Sequence, residues 1–207
     1  MLPLELTAHA DRDKSYRDLM AHPTVCAILE QIIGPSFRLD HINVHARPGT
    51  FPGGNLHGGH NPGSGNGFFS WQNGSSKNGL VSVTFELEDT HCNGGGFACV
   101  PGSHKANLNL PQHYRDLNTI TEGAENAGRP AVCAVPAAAG DCIIFTEALT
   151  HGTLPWTIEH QTRTTLFYKY NANGSAWSAN FFEPDDFKGY EDMDDVKLAM
   201  LEPPNAR

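Results

Sequence analysis

Absences narrow the possibilities for this 207-residue chain before any motif does. It carries 14 Lys and Arg against 23 Asp and Glu, a net charge of −9, and its basic residues form no cluster. A nucleic acid or an anionic membrane surface would find no electrostatic footing. No window approaches the ~20 apolar residues of a membrane span. The first dozen residues lack both a basic n-region and a continuous apolar h-region, so the expected compartment is the cytoplasm. The five cysteines, Cys26, Cys92, Cys99, Cys133 and Cys142, are odd in number and contain no C-x-x-C pair. That excludes a disulfide framework and a zinc finger, and reads as reduced thiols. No G-x-S-x-G elbow marks a hydrolase, and Gly94-Gly-Gly is not followed by the Gly-Lys-Ser/Thr of a phosphate loop.

The chain is rich in Gly (21), Pro (14) and His (11). Its length fits one domain over 1–207, large enough for a core without staples. Val25, Ile28, Leu29, Ile32 and Ile33 recur at helical spacing, with Thr24 placed to cap them and Gly34 to end them. Extended segments are expected at 36–47, 80–88, 97–100, 131–135, 142–146 and 164–170. A Gly-rich loop runs over 53–67, and helical tails are expected at 112–117 and 194–201. In 80–88, Val81, Val83, Phe85 and Leu87 alternate with more polar residues, the pattern of a half-buried strand that leaves Glu86 and Glu88 in solvent. Strands separated by turns, with few long helices, favour an antiparallel sandwich or jelly roll.

The segment 140–163 is the most informative. It reads as an apolar strand that delivers His151 to its end, a turn over Gly152–Pro155, and a returning strand opened by Arg163. A histidine at a strand end suits a divalent metal. An arginine opening an apolar strand faces inward and needs a bidentate carboxylate partner. Upstream, His57 lies in Asn55-Leu-His-Gly-Gly-His60, where Gly58 and Gly59 leave room for a small molecule or for a close backbone approach.

Gly94 to Lys105, with Pro101-Gly-Ser-His-Lys105 as its most specific part, resembles the phytanoyl-CoA dioxygenase family of iron(II)/2-oxoglutarate oxygenases. So does the 140–155 segment together with Arg163. The resemblance covers about Phe37 to Asn171. It implies a double-stranded β-helix, or jelly roll, and oxidation of a small organic substrate. It also implies iron held by a His-x-Asp/Glu pair and a distal histidine, with a downstream arginine on 2-oxoglutarate. By position His57 is the first metal ligand, His151 the distal one and Arg163 the cofactor-binding arginine. His104 belongs to a structural turn. Members usually carry a further helix and strand before the region that starts here near Tyr16.

One departure stands out. The family's carboxylate belongs two residues after the first histidine, where residues i and i+2 of a strand share a face, and here that residue is Gly59. Glu147 shares a face with His151, but four residues of straight strand set them about 13 Å apart. It is therefore expected as a hydrogen-bonding partner. Three alternatives remain for the third position: His60 swung round through Gly58-Gly59, a water, or an anion. A chloride there would match the related halogenases, which replace the carboxylate by a small residue. A catalytically silent jelly-roll binding protein is the reading from another class. An ordinary cupin fits Gly140 and His151 but lacks the upstream His-x-His pair. Phe68, Phe69, Trp71, Trp156 and Trp177 are candidates for a hydrophobic pocket or for the core.

Overall fold

The computed structural model describes residues 2–3, 14–59, 66–91, 93–106, 108, 110–112, 115–117 and 132–205. Among the described residues ten strands form three antiparallel sheets. The largest contains β1 (Leu2–Pro3), β2 (Phe37–Arg47), β10 (Arg163–Ala172), β5 (Val81–Glu86) and β8 (Cys142–Thr146), paired in that order. A second sheet orders β7 (Cys133–Ala134), β6 (Gly96–Cys99) and β9 (His151–Leu154). A hairpin of β3 (Phe69–Gln72) and β4 (Ser75–Asn78) stands apart, turned by Asn73 and Gly74, both at positive φ. The two larger sheets face each other as the halves of a double-stranded β-helix, as the strand pattern predicts. Phe145 of one packs against Phe97 of the other, ring centroids 4.7 Å apart.

The apolar core lies outside this sandwich, between the large sheet and the helices. Met20 of α1 (Lys14–Met20), Val25 and Leu29 of α2 (Pro23–Ile32), and Met200 of α3 (Asp195–Met200) meet Leu39, Ile42, Val81, Val83, Phe85, Leu166, Tyr168 and Tyr170. The buried Tyr168 and Tyr170 hydroxyls donate to the carbonyls of Tyr16 and Met20, at 3.0 and 2.8 Å. These two bonds tie the helical layer to the sheet. α2 starts two residues earlier than its apolar spacing predicts. Pro23 occupies its first turn, His22 is the N-cap without a side-chain cap bond, and Gly34 follows at φ +120°. Proline suits that place because the missing N–H had no helical partner. α3 lies within the expected helical tail at 194–201 and is capped by Asp194, which accepts from the Lys197 N–H at 2.9 Å.

Because one face of the large sheet is the core, its other face carries polar residues, and that corrects the reading of β5. All six of its residues are buried. Ser82, Thr84 and Glu86 point between the sheets, so Glu86, 1 % exposed, is not solvated. It accepts from Arg163 Nε at 3.0 Å and from Nη2, and from Thr165 Oγ1 at 2.9 Å. Glu88 is half-buried and accepts from the Thr164 N–H.

A β-bulge sets the inner face of β2. Lys169 pairs with His41 but Tyr170 pairs with Leu39, which leaves Asp40 as the extra residue. A bulge of one residue shifts the side-chain parity. Leu39 and Ile42 thereby both reach the core, while His41, Asn43 and His45 line the space between the sheets. Asp40 is buried and accepts from Arg38 Nη1, His41 Nδ1, Asn171 Nδ2 and the backbone N–H groups of Trp177 and Ser178. Burial alone would raise its proton affinity, but the His41, Trp177, Asn171 and Ser178 donors hold it well below the usual carboxylate range.

Truncating one partner of the Arg163–Glu86 pair strands a buried charge. Glu86→Ala should lose about 3–5 kcal/mol of unfolding free energy in urea titrations at an unchanged m-value. A loss below about 1 kcal/mol would contradict the buried pairing.

Candidate active site between the two sheets

The site forms where the chain leaves the large sheet. β8 ends at Thr146, residues 147–150 turn with the Leu149 N–H on the Thr146 carbonyl at 2.9 Å, and β9 begins at His151 in the smaller sheet. His151 therefore opens a strand rather than closing one, and residues 152–154 of the expected turn at 152–155 are the rest of β9. This changes the status of Glu147. The 13 Å separation assumes a straight strand, whereas the turn brings Glu147 Oε2 to 3.9 Å from His151 Nε2. The turn is braced from the Pro101-Gly-Ser-His-Lys105 segment: the Thr150 N–H donates to Ser103 Oγ at 2.8 Å, and the Val100 N–H to the Thr150 carbonyl at 2.9 Å. His104 meets the Phe69 ring edge-on and takes no part in the site.

His57 lies directly beside His151. Each backbone N–H donates to the other's carbonyl, at 2.8 and 2.9 Å, and the rings are 4.2 Å apart centroid to centroid. Gly58 makes this approach feasible. Its φ is +77°, and a Cβ there would sit 2.4 Å from the Leu149 carbonyl oxygen and 2.8 Å from that of Glu147. Gly59 follows at φ +84°, so the chain is not extended beyond His57. The alternation argument for a carboxylate at position 59 does not apply to this backbone. His60 lies outside the described residues.

Both imidazoles have Nδ1 committed to a backbone carbonyl. His151 Nδ1 donates to the Leu149 carbonyl at 2.7 Å and His57 Nδ1 to the Asn55 carbonyl at 3.1 Å. At His151 this leaves Nε2 with its lone pair. Burial pushes the His151 pKa down to about 4, against the upward pull of Glu147, so the ring is neutral at pH 7. The aromatic walls of Phe97 and Phe145 supply much of that burial. Burial would raise Glu147, but Lys169 above all, with His151 and Ser82, lowers it to about 2. Its Oε1 accepts from Lys169 Nζ at 2.6 Å and from Ser82 Oγ.

Among the described residues no group of three His, Cys, Asp or Glu side chains is placed to hold a metal ion. One pair, Glu147 and His151, comes near the spacing of two ligands. Adjacent ligands of an ion bound at ~2.1 Å lie about 3 Å apart, so a shift of about 1 Å brings Glu147 Oε2 to that spacing from His151. Arg163 does not join them. It faces inward and holds a carboxylate bidentately, as expected, but the carboxylate is Glu86. The cations that line the cavity are Lys169 and Arg115.

The cavity has a volume of about 550 Å³ and is walled by His41, Asn43, His45, Phe97, Phe167 and Trp177, among others. That is the size of a small-molecule site. Trp177, 58 % exposed, stacks on His41 at 4.8 Å, and Trp156 is instead a core residue. Sequence reasoning missed Lys169, Arg115 and the β2 histidines. The alternation of His41, Asn43 and His45 was the available signal.

The sequence profile of the family described as Phytanoyl-CoA dioxygenase (PhyH) matches residues 5–164. Among solved structures, HygX from Streptomyces hygroscopicus with nickel and 2-oxoglutarate bound is similar, with a TM-score of 0.61 at 23 % identity. The match covers 76 % of this chain and 65 % of HygX. ThoJ, a non-heme monooxygenase in its apo form, gives a TM-score of 0.59 at 18 % identity, over 87 % of this chain and 63 % of that one. SnoN, a non-heme alpha-ketoglutarate-dependent epimerase from nogalamycin biosynthesis, gives 0.54 at 22 % identity, over 81 % and 60 %. The chain thus spans about two thirds or less of each of these three structures. No curated protein sequence matches. No helix among the described residues is long and apolar enough to cross a membrane.

Burial holds His45, like His151, at a pKa of about 4. As pH falls from about 6.5 to about 4, the unfolded chain takes up protons on both that the folded chain refuses. Stability of the metal-free protein should therefore drop across that window, and drop less steeply in His45→Asn. Urea titrations at stepped pH check this; a flat profile from pH 7 to 4 would contradict it.

Proposed function

The chain belongs to the phytanoyl-CoA dioxygenase family, and on that premise we propose that it is an iron(II)/2-oxoglutarate-dependent dioxygenase that hydroxylates a small organic molecule. The observation that carries this reading is a pair of adjoining imidazoles. His57 and His151 are locked side by side by mutual backbone hydrogen bonds, and each has its Nδ1 proton committed to a carbonyl.

His57 and His151 would hold the metal through Nε2, and Glu147 would supply the carboxylate of a two-histidine, one-carboxylate set. The carboxylate then comes from the distal segment, four residues before His151, rather than from the position after His57. Iron bound with 2-oxoglutarate supplies the activation of dioxygen that breaks a substrate C–H bond. The protein's own part is positional. Ser82 and Lys169 fix Glu147 Oε1 and leave Oε2 for the ion. Phe97 and Phe145 exclude water from the buried side of His151. Asp40, through the backbone of Trp177 and Ser178, holds the aromatic wall at the cavity mouth.

The halide alternative rests on a missing carboxylate, and with Glu147 in reach the site has no need of chloride. HygX has also been solved with nickel, 2-oxoglutarate and hygromycin B bound, which supports a small-molecule substrate for a site of this form. The wall of His41, Asn43, His45 and Trp177 suits a molecule with both polar groups and a flat or apolar face.

Anaerobic addition of iron(II) and then 2-oxoglutarate to the metal-free protein should produce the visible metal-to-keto-acid charge-transfer band, unaltered by chloride. His57→Ala and His151→Ala should abolish it, and Glu147→Ala should weaken iron binding by more than about 10-fold. A folded wild-type protein that yields no band would contradict the assignment. A band that requires chloride would restore the halide reading.

A further inference from the structure

Cys99 and Cys133 are far apart in sequence, yet the fold sets them directly opposite each other. Cys99 closes β6, Cys133 opens β7, and the two are Cα partners in an antiparallel ladder. We infer that these two thiols form a reversible disulfide, a redox-operated clamp on the strand that pairs with His151. Neither a metal nor a keto acid enters this reaction.

The phase of the ladder suits the bond. The Val135 N–H donates to the Phe97 carbonyl at 2.9 Å, so that level, and by alternation the level of Cys99 and Cys133, is a hydrogen-bonded one. Cα atoms at such a level stand about 5.5 Å apart, within the range that a disulfide spans. Residues directly opposite project to the same face of the sheet, so the two side chains lie on one side. Their Cβ atoms start as much as about 5.5 Å apart and a disulfide needs about 3.8 Å, so β7 has to draw in by about 1–2 Å. A two-residue strand at the edge of its sheet can do so. The strain of that approach makes the bond easy to reduce, which is the property of a switch rather than of a staple.

The two thiols divide the reaction. Cys133 is exposed and Cys99 half-buried. Burial, and after it the neighbouring Cys133 thiol, push the Cys99 pKa up. Cys133 is therefore the sulfur that meets an oxidant. With the disulfide of a small thiol such as glutathione, the Cys133 thiolate attacks one sulfur and expels the other as thiolate. The Cys99 thiolate then attacks Cys133 Sγ and expels the second. Two protein thiols are oxidised, one external disulfide is reduced to two thiols, and the two protons pass to the expelled thiolates. Cys26 belongs to α2 and Cys142 to β8 of the large sheet, opposite Phe85. Cys92 lies outside the described residues.

The clamp bears on the candidate site because Cys99 pairs with His151 on its other side. The Val100 N–H donates to the Thr150 carbonyl, so Cys99 and His151 form a non-hydrogen-bonded level, where side chains stand closer. Drawing β7 onto β6 tightens the ladder one strand away from His151.

The test equilibrates the reduced full chain with mixtures of reduced and oxidised glutathione, quenches with iodoacetamide and maps the peptides by mass. Oxidising mixtures should yield a Cys99–Cys133 cross-link with no glutathione retained on either residue, and dithiothreitol should release both thiols. Cys99→Ser should instead accumulate glutathione on Cys133, and Cys142→Ser should leave the cross-link as in wild type. Cys99→Ala replaces Cys99→Ser if the latter does not fold. Hydrogen exchange reads the clamp: the β6 and β7 amides should exchange at least about 10-fold more slowly once cross-linked. Thiols that stay free in the most oxidising mixture would overturn the inference, as would Cys133 joined to Cys92 or Cys142, or stable glutathione on Cys133 of the wild type. A cross-link that leaves exchange along β6 unchanged would overturn the clamp.

Discussion

Two backbone hydrogen bonds between His57 and His151, at 2.8 and 2.9 Å, are the joint on which the site depends. They stitch a loop that has no regular structure of its own onto the first residue of β9. They also fix the spacing of two imidazoles without any side-chain contact having to do so. Everything near the joint serves the approach. Gly58 omits a Cβ that would collide with the Leu149 and Glu147 carbonyls, and Ser103 braces the turn from behind. The same turn carries Glu147 into the neighbourhood of His151. One local geometry therefore sets both His57 and Glu147 beside His151, although their positions in sequence are 57, 147 and 151.

The placement of the core explains why so many polar groups survive inside the sandwich. Helices α1, α2 and α3 cover the outer face of the large sheet and bury its aromatic and aliphatic residues. The inner face is thereby free to carry histidine, lysine, asparagine and glutamate. Each buried charge there has a partner: Glu86 with Arg163, Asp40 with Arg38 and His41, and Glu147 with Lys169. Such pairs contribute little net stability against an apolar substitute, but they are costly to break singly. That cost fixes orientation, which is what a site for ordered chemistry requires.

Most of the architecture was legible in the sequence. The Gly/Pro punctuation marked the strands, and the histidines and the arginine stood out from it. Two errors share one cause, the assumption that a segment without breakers runs straight. Glu147-Ala-Leu-Thr150 contains neither glycine nor proline, so nothing local announces that the chain changes sheets there. The turn is imposed by tertiary pairing, with Val100 and Ser103 on one side and His57 on the other. The solvated reading of Glu86 failed for a related reason. Alternation identifies a strand with two unlike faces, but not that both faces are covered. The pairing of Arg163 with Glu86 was invisible too, since it depends on the register of β10 against β5.

The central claim is that Glu147 completes the metal set which position 59 leaves open. A crystal structure of the nickel(II)- and 2-oxoglutarate-loaded protein tests it most directly. The account predicts His57 Nε2, His151 Nε2 and a Glu147 oxygen all bound to the ion at about 2.1 Å. Nickel held by the two histidines with solvent or halide in the third protein position, and Glu147 still turned to Lys169 and Ser82 alone, would contradict it.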